Sequence, residues 1–175
     1  MNNIFFILYG ILLVWFVPAQ AHNGAIAQVV PVAGIVVDGN LSDWPPHVPR
    51  YAIALAEYGD APKDSVDFQA SFRIGFEADK KQVYIAVEVQ DDDLIIDRRG
   101  PFQDGCEILL DVTHRDRSDP VQLFLLTGHK PVNQLPRRVI ADWSQVQYAV
   151  KTLSNGYVYE WRLDVGAMLD SDEEA

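Results

Sequence analysis

The feature that most constrains this chain is a strict alternation of apolar and polar residues. In Phe68–Phe76 the residues Phe68, Ala70, Phe72, Ile74 and Phe76 fall on one face, against Gln69, Ser71 and Arg73. In Val83–Val89 the residues Val83, Ile85, Val87 and Val89 oppose Tyr84, Ala86 and Glu88. A period of two buries one face of a β-strand and leaves the other to solvent, and the polar turn 77–82 joins the two runs as a hairpin. Cys106–Val112 repeats the pattern, with Cys106, Ile108, Leu110 and Val112 inward and Glu107, Leu109 and Asp111 outward.

Further strands are expected at Ala33–Asp38, Tyr51–Glu57, Val121–Leu126, Val146–Leu153 and Tyr157–Leu163. Asp38-Gly39 closes the first, and Pro45-Pro46 keeps the loop after it from being helical. Ser154-Asn155-Gly156 separates the last two, where Asn-Gly favours the positive φ angles of a tight hairpin turn. Helical periodicity is absent. Short strands at regular spacing with turn chemistry between them predict an all-β fold, an antiparallel β-sandwich of jelly-roll or immunoglobulin-like kind, with a closed barrel as second choice.

The 175 residues fit one domain large enough to bury a core. Fourteen Lys and Arg against twenty-five Asp and Glu give a formal net charge of -11, which argues against phosphate backbones and anionic lipid as partners. Neutral or cationic ligands stay open. Residues 1–21 read as a signal peptide: the uncharged run Ile4–Val17 is shorter than a span needs, and Ala19-Gln20-Ala21 supplies a small-x-small cleavage pattern. Ala25-Ile26-Ala27 is a second such triplet, and an n-region without Lys or Arg leaves an uncleaved anchor as the alternative. The mature chain is therefore expected to be secreted or periplasmic and off the membrane, with residues 22–32 as a transition and 33–175 as the sandwich. Its one cysteine, Cys106, excludes an internal disulfide and reads as a buried, inert thiol.

Between Val89 and Cys106 lies a turn dense in Asp, with Arg98, Arg99 and Phe102. A polar loop held by a rigid sheet is a common ligand site. Val37-Asp38-Gly39 followed by Asp43-Trp44, the hairpin through Val83-Tyr84 to Asp91, Gln103-Asp104-Gly105-Cys106-Glu107-Ile108, and Gly156-Tyr157-Val158-Tyr159-Glu160 together resemble the family 9 carbohydrate-binding module and its exported sugar- and haem-binding relatives. The resemblance covers roughly residues 35–165. It implies a β-sandwich with structural calcium and a sugar end held between two aromatic rings, with Phe102 where the family's sugar binders place one tryptophan. It also implies a buried Trp44, a second clamp ring beyond Ala175, one or two more strands after it, and further domains of a longer protein. An incomplete sandwich would leave an unpaired, aggregation-prone edge.

The candidate sugar contacts are Phe102, whose ring can stack on an apolar pyranose face, Arg98 and Arg99, whose guanidinium forks can serve the hydroxyl rim, and Trp143 as an additional platform. The commoner role for the two arginines is pairing with neighbouring aspartates. Calcium is expected at Asp91, Asp93, Asp97 and Asp104, since a hard cation takes several oxygens from a flexible loop; solvated turn acids are the alternative. Asp38–Asp43 is a weaker second calcium loop, with an Asx turn as its alternative. Trp161 is expected to point inward and Glu107 and Glu160 to face away from the core. A haem relative would draw on His22, His47, His114, His129 or Met168, none at a spacing that fixes an axial pair. No motif arranges a nucleophile, an acid pair or a zinc site, so catalysis is not expected.

Overall fold

A computed structural model describes residues 26–54, 62–93, 95, 104–110, 121–126, 130–131, 139–140 and 143–168. Its strands are β1 (Val30–Pro31), β2 (Tyr51–Ile53), β3 (Phe68–Glu77), β4 (Gln82–Asp91), β5 (Gly105–Leu110), β6 (Val121–Leu126), β7 (Lys130–Pro131), β8 (Val139–Ile140), β9 (Val146–Leu153) and β10 (Gly156–Asp164). The signal peptide expected at 1–21 lies outside the described residues.

A six-stranded sheet runs β1-β3-β4-β10-β9, with β2 also on β3, and a second sheet runs β5-β6-β7, with β8 also on β6. Pairing is antiparallel except for β1 with β3 and β6 with β8. Those two parallel contacts are two residues long and involve strands separated by long connections, where a hairpin cannot set the direction. Val30–Pro31, expected in a transition segment, is therefore a strand against Gly75 and Phe76 of β3.

The register explains which side chains meet. Phe72, Ile74, Val83, Ile85, Val87, Val89, Tyr157, Tyr159, Trp161 and Leu163 share the inner face, where Cys106, Ile108 and Leu110 of β5 pack on them. Each large apolar side chain removed from water here contributes roughly 1.5–3 kcal/mol. Trp161 is fully buried at the centre, as its position on the inward row of β10 predicts.

The outer face departs from the sequence reading. Tyr84 and Ala86, expected on the solvent side of a half-buried strand, are buried under Val32, Ile35, Val37, Trp44 and Val48 of the N-terminal segment. Alternation predicts which residues share a face but not whether a later-packed segment covers it. The sheet has two cores, one under β5 and one under residues 32–48.

The β9–β10 hairpin forms where expected, with Leu153 opposite Gly156 and Ser154–Asn155 as its turn. The positive φ is confined to Gly156, at +148°, and Asn155 has none. Glycine is required there by space as well: a Cβ would clash with the Val89 carbonyl oxygen.

Candidate functional site

The acidic turn leaves the sandwich at the end of β4. Asp91 donates its backbone N–H to the Asn155 carbonyl at 3.2 Å, tying the strand end to the β9–β10 turn. Its Oδ1 accepts from Asp93 N at 2.9 Å, an Asx-type closure. Asp104 then fastens the other side. Its N–H donates to the Ile95 carbonyl at 2.8 Å, while its Oδ2 accepts from Ile95 N at 2.9 Å and from the Tyr157 hydroxyl at 3.0 Å. Ile95 and Asp104 thus hold the two ends of 96–103 together, and Tyr157 anchors Asp104 to β10.

Asp97, Arg98, Arg99 and Phe102 fall between these two residues in sequence and lie outside the described residues. Beside Asp104 a cavity of about 380 Å³ opens between the sheets, with Phe68, Val87, Val89, Tyr157, Asp91 and Asp104 among its lining residues. Burial raises the Asp91 carboxyl above its ordinary range, and the charges of Asp104, Asp92 and Asp93 add to that, against a lowering from the Asp93 N–H. Burial likewise raises the Tyr157 hydroxyl, and its bond to Asp104 reinforces the shift.

Of the four expected calcium ligands, Asp91, Asp93 and Asp104 come to this end of the sandwich. Among the described residues no three His, Cys, Asp or Glu side chains form a group that could hold a metal ion. At the second acidic loop, Asp38 Oδ1 accepts from Asn40 N at 2.7 Å, the Asx-turn alternative, while Asp43 Oδ2 accepts from Val36 N at 2.6 Å.

Trp143 sits elsewhere. It precedes β9, whose Val146 pairs with Leu163, itself opposite Val83. Asp91 is at the other end of β4, about 27 Å away at strand rise. There Trp143 stacks on Trp161 with ring centroids 6.2 Å apart and meets Tyr148 edge-on, and its Nε1 is buried without a partner. It is packed against the inner core, away from Asp91.

Glu160 corrects the sequence reading outright. Expected at the surface, it is 0% exposed, and its carboxylate accepts from Trp44 Nε1 at 2.7 Å, Asp38 N at 2.9 Å and Gly39 N at 2.8 Å. Its position on the outer row of β10 was legible, but the N-terminal segment over that row was not. Glu107 is exposed, as expected. Of the candidate haem ligands, His47 is exposed, Met168 is buried in the inner core, and His22, His114 and His129 lie outside the described residues.

Solved structures share the fold, two of them as follows. Both are family 9 carbohydrate-binding modules from Caldicellulosiruptor kristjanssonii. The one in complex with glucose aligns at a TM-score of 0.63 and 20% identity over 79% of this chain and 68% of that chain. The one in complex with cellotriose aligns at 0.59 and 21% identity over 77% of this chain and 65% of that chain. No protein-family model and no curated protein sequence matches the chain. The fold is therefore a family 9-like β-sandwich, as the spread of motifs from Val37 to Glu160 suggested.

Proposed function

We propose that the chain is a non-catalytic carbohydrate-binding domain of an exported protein, and that it takes its sugar at the loop carrying Arg98, Arg99 and Phe102. The observation that carries this reading is the pinned loop base. Ile95, Asp104 and Tyr157 fix both ends of 96–103 at the rim of the inter-sheet cavity, in a fold shared with modules solved in complex with glucose and cellotriose. Holding Ile95 and Asp104 together fixes where the two ends of that segment emerge, which lowers part of the ordering cost of binding. In this role Phe102 stacks on a pyranose face, and the two guanidinium groups donate to its hydroxyls. Calcium bound through Asp91, Asp93, Asp97 and Asp104 would hold the acidic turn and relieve the crowding of like charge around Asp91.

Isothermal titration with glucose and cello-oligosaccharides tests the reading. Saturable binding is expected, weakened by about tenfold or more in Phe102→Ala, since an aromatic contact in a binding site is worth on the order of 1–2 kcal/mol. Absence of heat from every sugar, or unchanged affinity in Phe102→Ala, overturns it.

A further inference from the structure

We propose that the outer face of the six-stranded sheet carries a second binding site, for a hydroxylated carboxylate such as the uronic acid unit of a saccharide. The site lies on the opposite face of β3 and β4 from the cavity and does not depend on the reading at the acidic turn.

The register sets out its floor. Gln69 pairs across strands with Gln90, and Ser71 with Glu88. These four side chains, with Arg50 and Asn155, line an open cleft of about 240 Å³. That is below the ~300–1,000 Å³ of pockets for drug-sized ligands and suits a single sugar unit. The segment 32–48 covers the neighbouring half of this face and stops short of these residues.

The charge balance is what selects the ligand. Glu88 is the one carboxylate between two guanidinium groups: Arg50 Nη2 reaches it at 3.0 Å and Arg73 Nη2 at 3.2 Å. The cluster therefore holds one positive charge in excess on a chain of net charge -11. Arg73 is only 8% exposed, and its Nε is buried with no hydrogen-bond partner. Arg50 is the exposed member, with 57% of its side chain accessible and only Nη2 engaged. The rest of its planar fork matches a carboxylate in two parallel N–H···O bonds, which a lone hydroxyl cannot accept.

Hydroxyl recognition falls to the neighbours. The side chains of Gln69, Ser71 and Gln90 have no hydrogen-bond partner among the described residues, and each amide both donates and accepts. A single excess charge balances one carboxylate. A densely charged polyanion would meet the net negative field of the whole chain, so isolated acidic units are favoured over a polyphosphate.

Amide NMR of the whole chain, titrated with D-glucuronate, D-glucose and acetate at constant ionic strength, tests the proposal. Glucuronate is expected to move the backbone amides of 69–71 and 88–90 saturably. Glucose and acetate should each act at those amides at least about tenfold more weakly, since each lacks half of the charge-assisted and hydroxyl contacts. Arg50→Ala should abolish the preference for glucuronate, and Arg50→Lys, which keeps the charge and loses the fork, should fall between. Equal binding of glucuronate and glucose, equal binding of acetate, shifts confined to other regions, or an Arg50→Ala chain that binds as the parent does would each overturn the proposal.

Discussion

The indole N–H of Trp44 donates to the carboxylate of Glu160 at 2.7 Å, joining residues 116 positions apart. The same carboxylate receives the backbone N–H groups of Asp38 and Gly39, so one side chain of β10 satisfies three donors of the N-terminal segment. Gly39 is needed at that turn, since its φ is +79° and a Cβ would lie 2.8 Å from Cβ of Lys151. Glu160→Ala leaves those donors buried and unsatisfied. Its cost should be on the order of 3 kcal/mol, against about 1–2 kcal/mol for Trp44→Phe, which removes one bond and some area. Thermal and urea unfolding of the two single variants and the double variant measure this; simple additivity would show that the two residues do not act through one another.

Gly156 marks where the hairpin meets its neighbour strand. Alanine there would drive a methyl into the Val89 carbonyl and also strain the backbone at φ +148°. Gly156→Ala is expected to destabilise by more than about 2 kcal/mol or to prevent folding, well beyond the cost of an ordinary glycine substitution. Circular dichroism and solubility against a Ser154→Ala control report it, and a stable Gly156→Ala chain would mean that β4 and β10 can move apart to admit the methyl group.

The cluster on the outer face separates a buried charge from an exposed one. Arg73 is nearly covered and Glu88 is its recorded ionic partner, whereas Arg50 is largely exposed. Glu88→Gln should cost about 2 kcal/mol, because it leaves Arg73 without a counter-charge. Arg50→Ala should cost less than about 1 kcal/mol, as exposed pairs do. Unfolding curves in low and high salt compare the two, and only the Arg50 effect should shrink with salt.

Much of this architecture was legible in the alternation. The bounds of β6 and β9 agree with those predicted, β3, β4 and β10 extend one to a few residues further, and β5 ends within two residues of its prediction. Trp161 and Cys106 point inward because period two requires it. What the alternation cannot convey is which outer faces a distant segment will cover. For that reason Tyr84 and Ala86 lie buried and Glu160 is a tether rather than a surface acid. Tyr157 as an anchor of the acidic loop was equally hidden, since its hydroxyl bond to Asp104 spans 53 residues. The outer polar row of Gln69, Ser71, Glu88 and Gln90 could have been read from the strands, but Arg50, which completes it, lies in a loop with no pattern of its own.

Burial pushes the Cys106 thiol from 9.0 up to about 12, with the nearby Trp161 indole acting in the opposite, lowering sense. The native state therefore keeps a proton that the unfolded chain releases above about pH 9. Between those limits the folded form binds more protons, so stability that is fully present below pH 9 declines as pH rises, by up to about 1.4 kcal/mol per pH unit from this group. Tyr157, also raised by burial, adds a second loss at higher pH. Cys106→Ala should flatten the first part of that decline in urea-unfolding measurements from pH 8 to 11. An unchanged slope would mean that the thiol ionises in the folded state. A disulfide reagent should likewise modify Cys106 only at the rate of unfolding.

Asp91 gives the acidic turn its own sign. Its carboxyl is raised by burial and then by Asp104, Asp92 and Asp93, so the native state favours the protonated form and the charged form at neutral pH works against folding. This contribution is favourable below the ordinary pKa of 3.8 and is lost as pH rises through the raised folded value. In chelator at pH 7, Asp91→Asn is expected to raise Tm slightly, by about 1–3 °C for a gain of under 1 kcal/mol. A calcium ion drawn in by the same charges would do more. It should raise the Tm of the parent chain in a concentration-dependent way and leave Asp91→Asn nearly unmoved. Equal Tm for the parent in calcium and in chelator would remove the cation from the proposed site, and a lower Tm for Asp91→Asn in chelator would show that its hydrogen bond to Asp93 outweighs the repulsion around it.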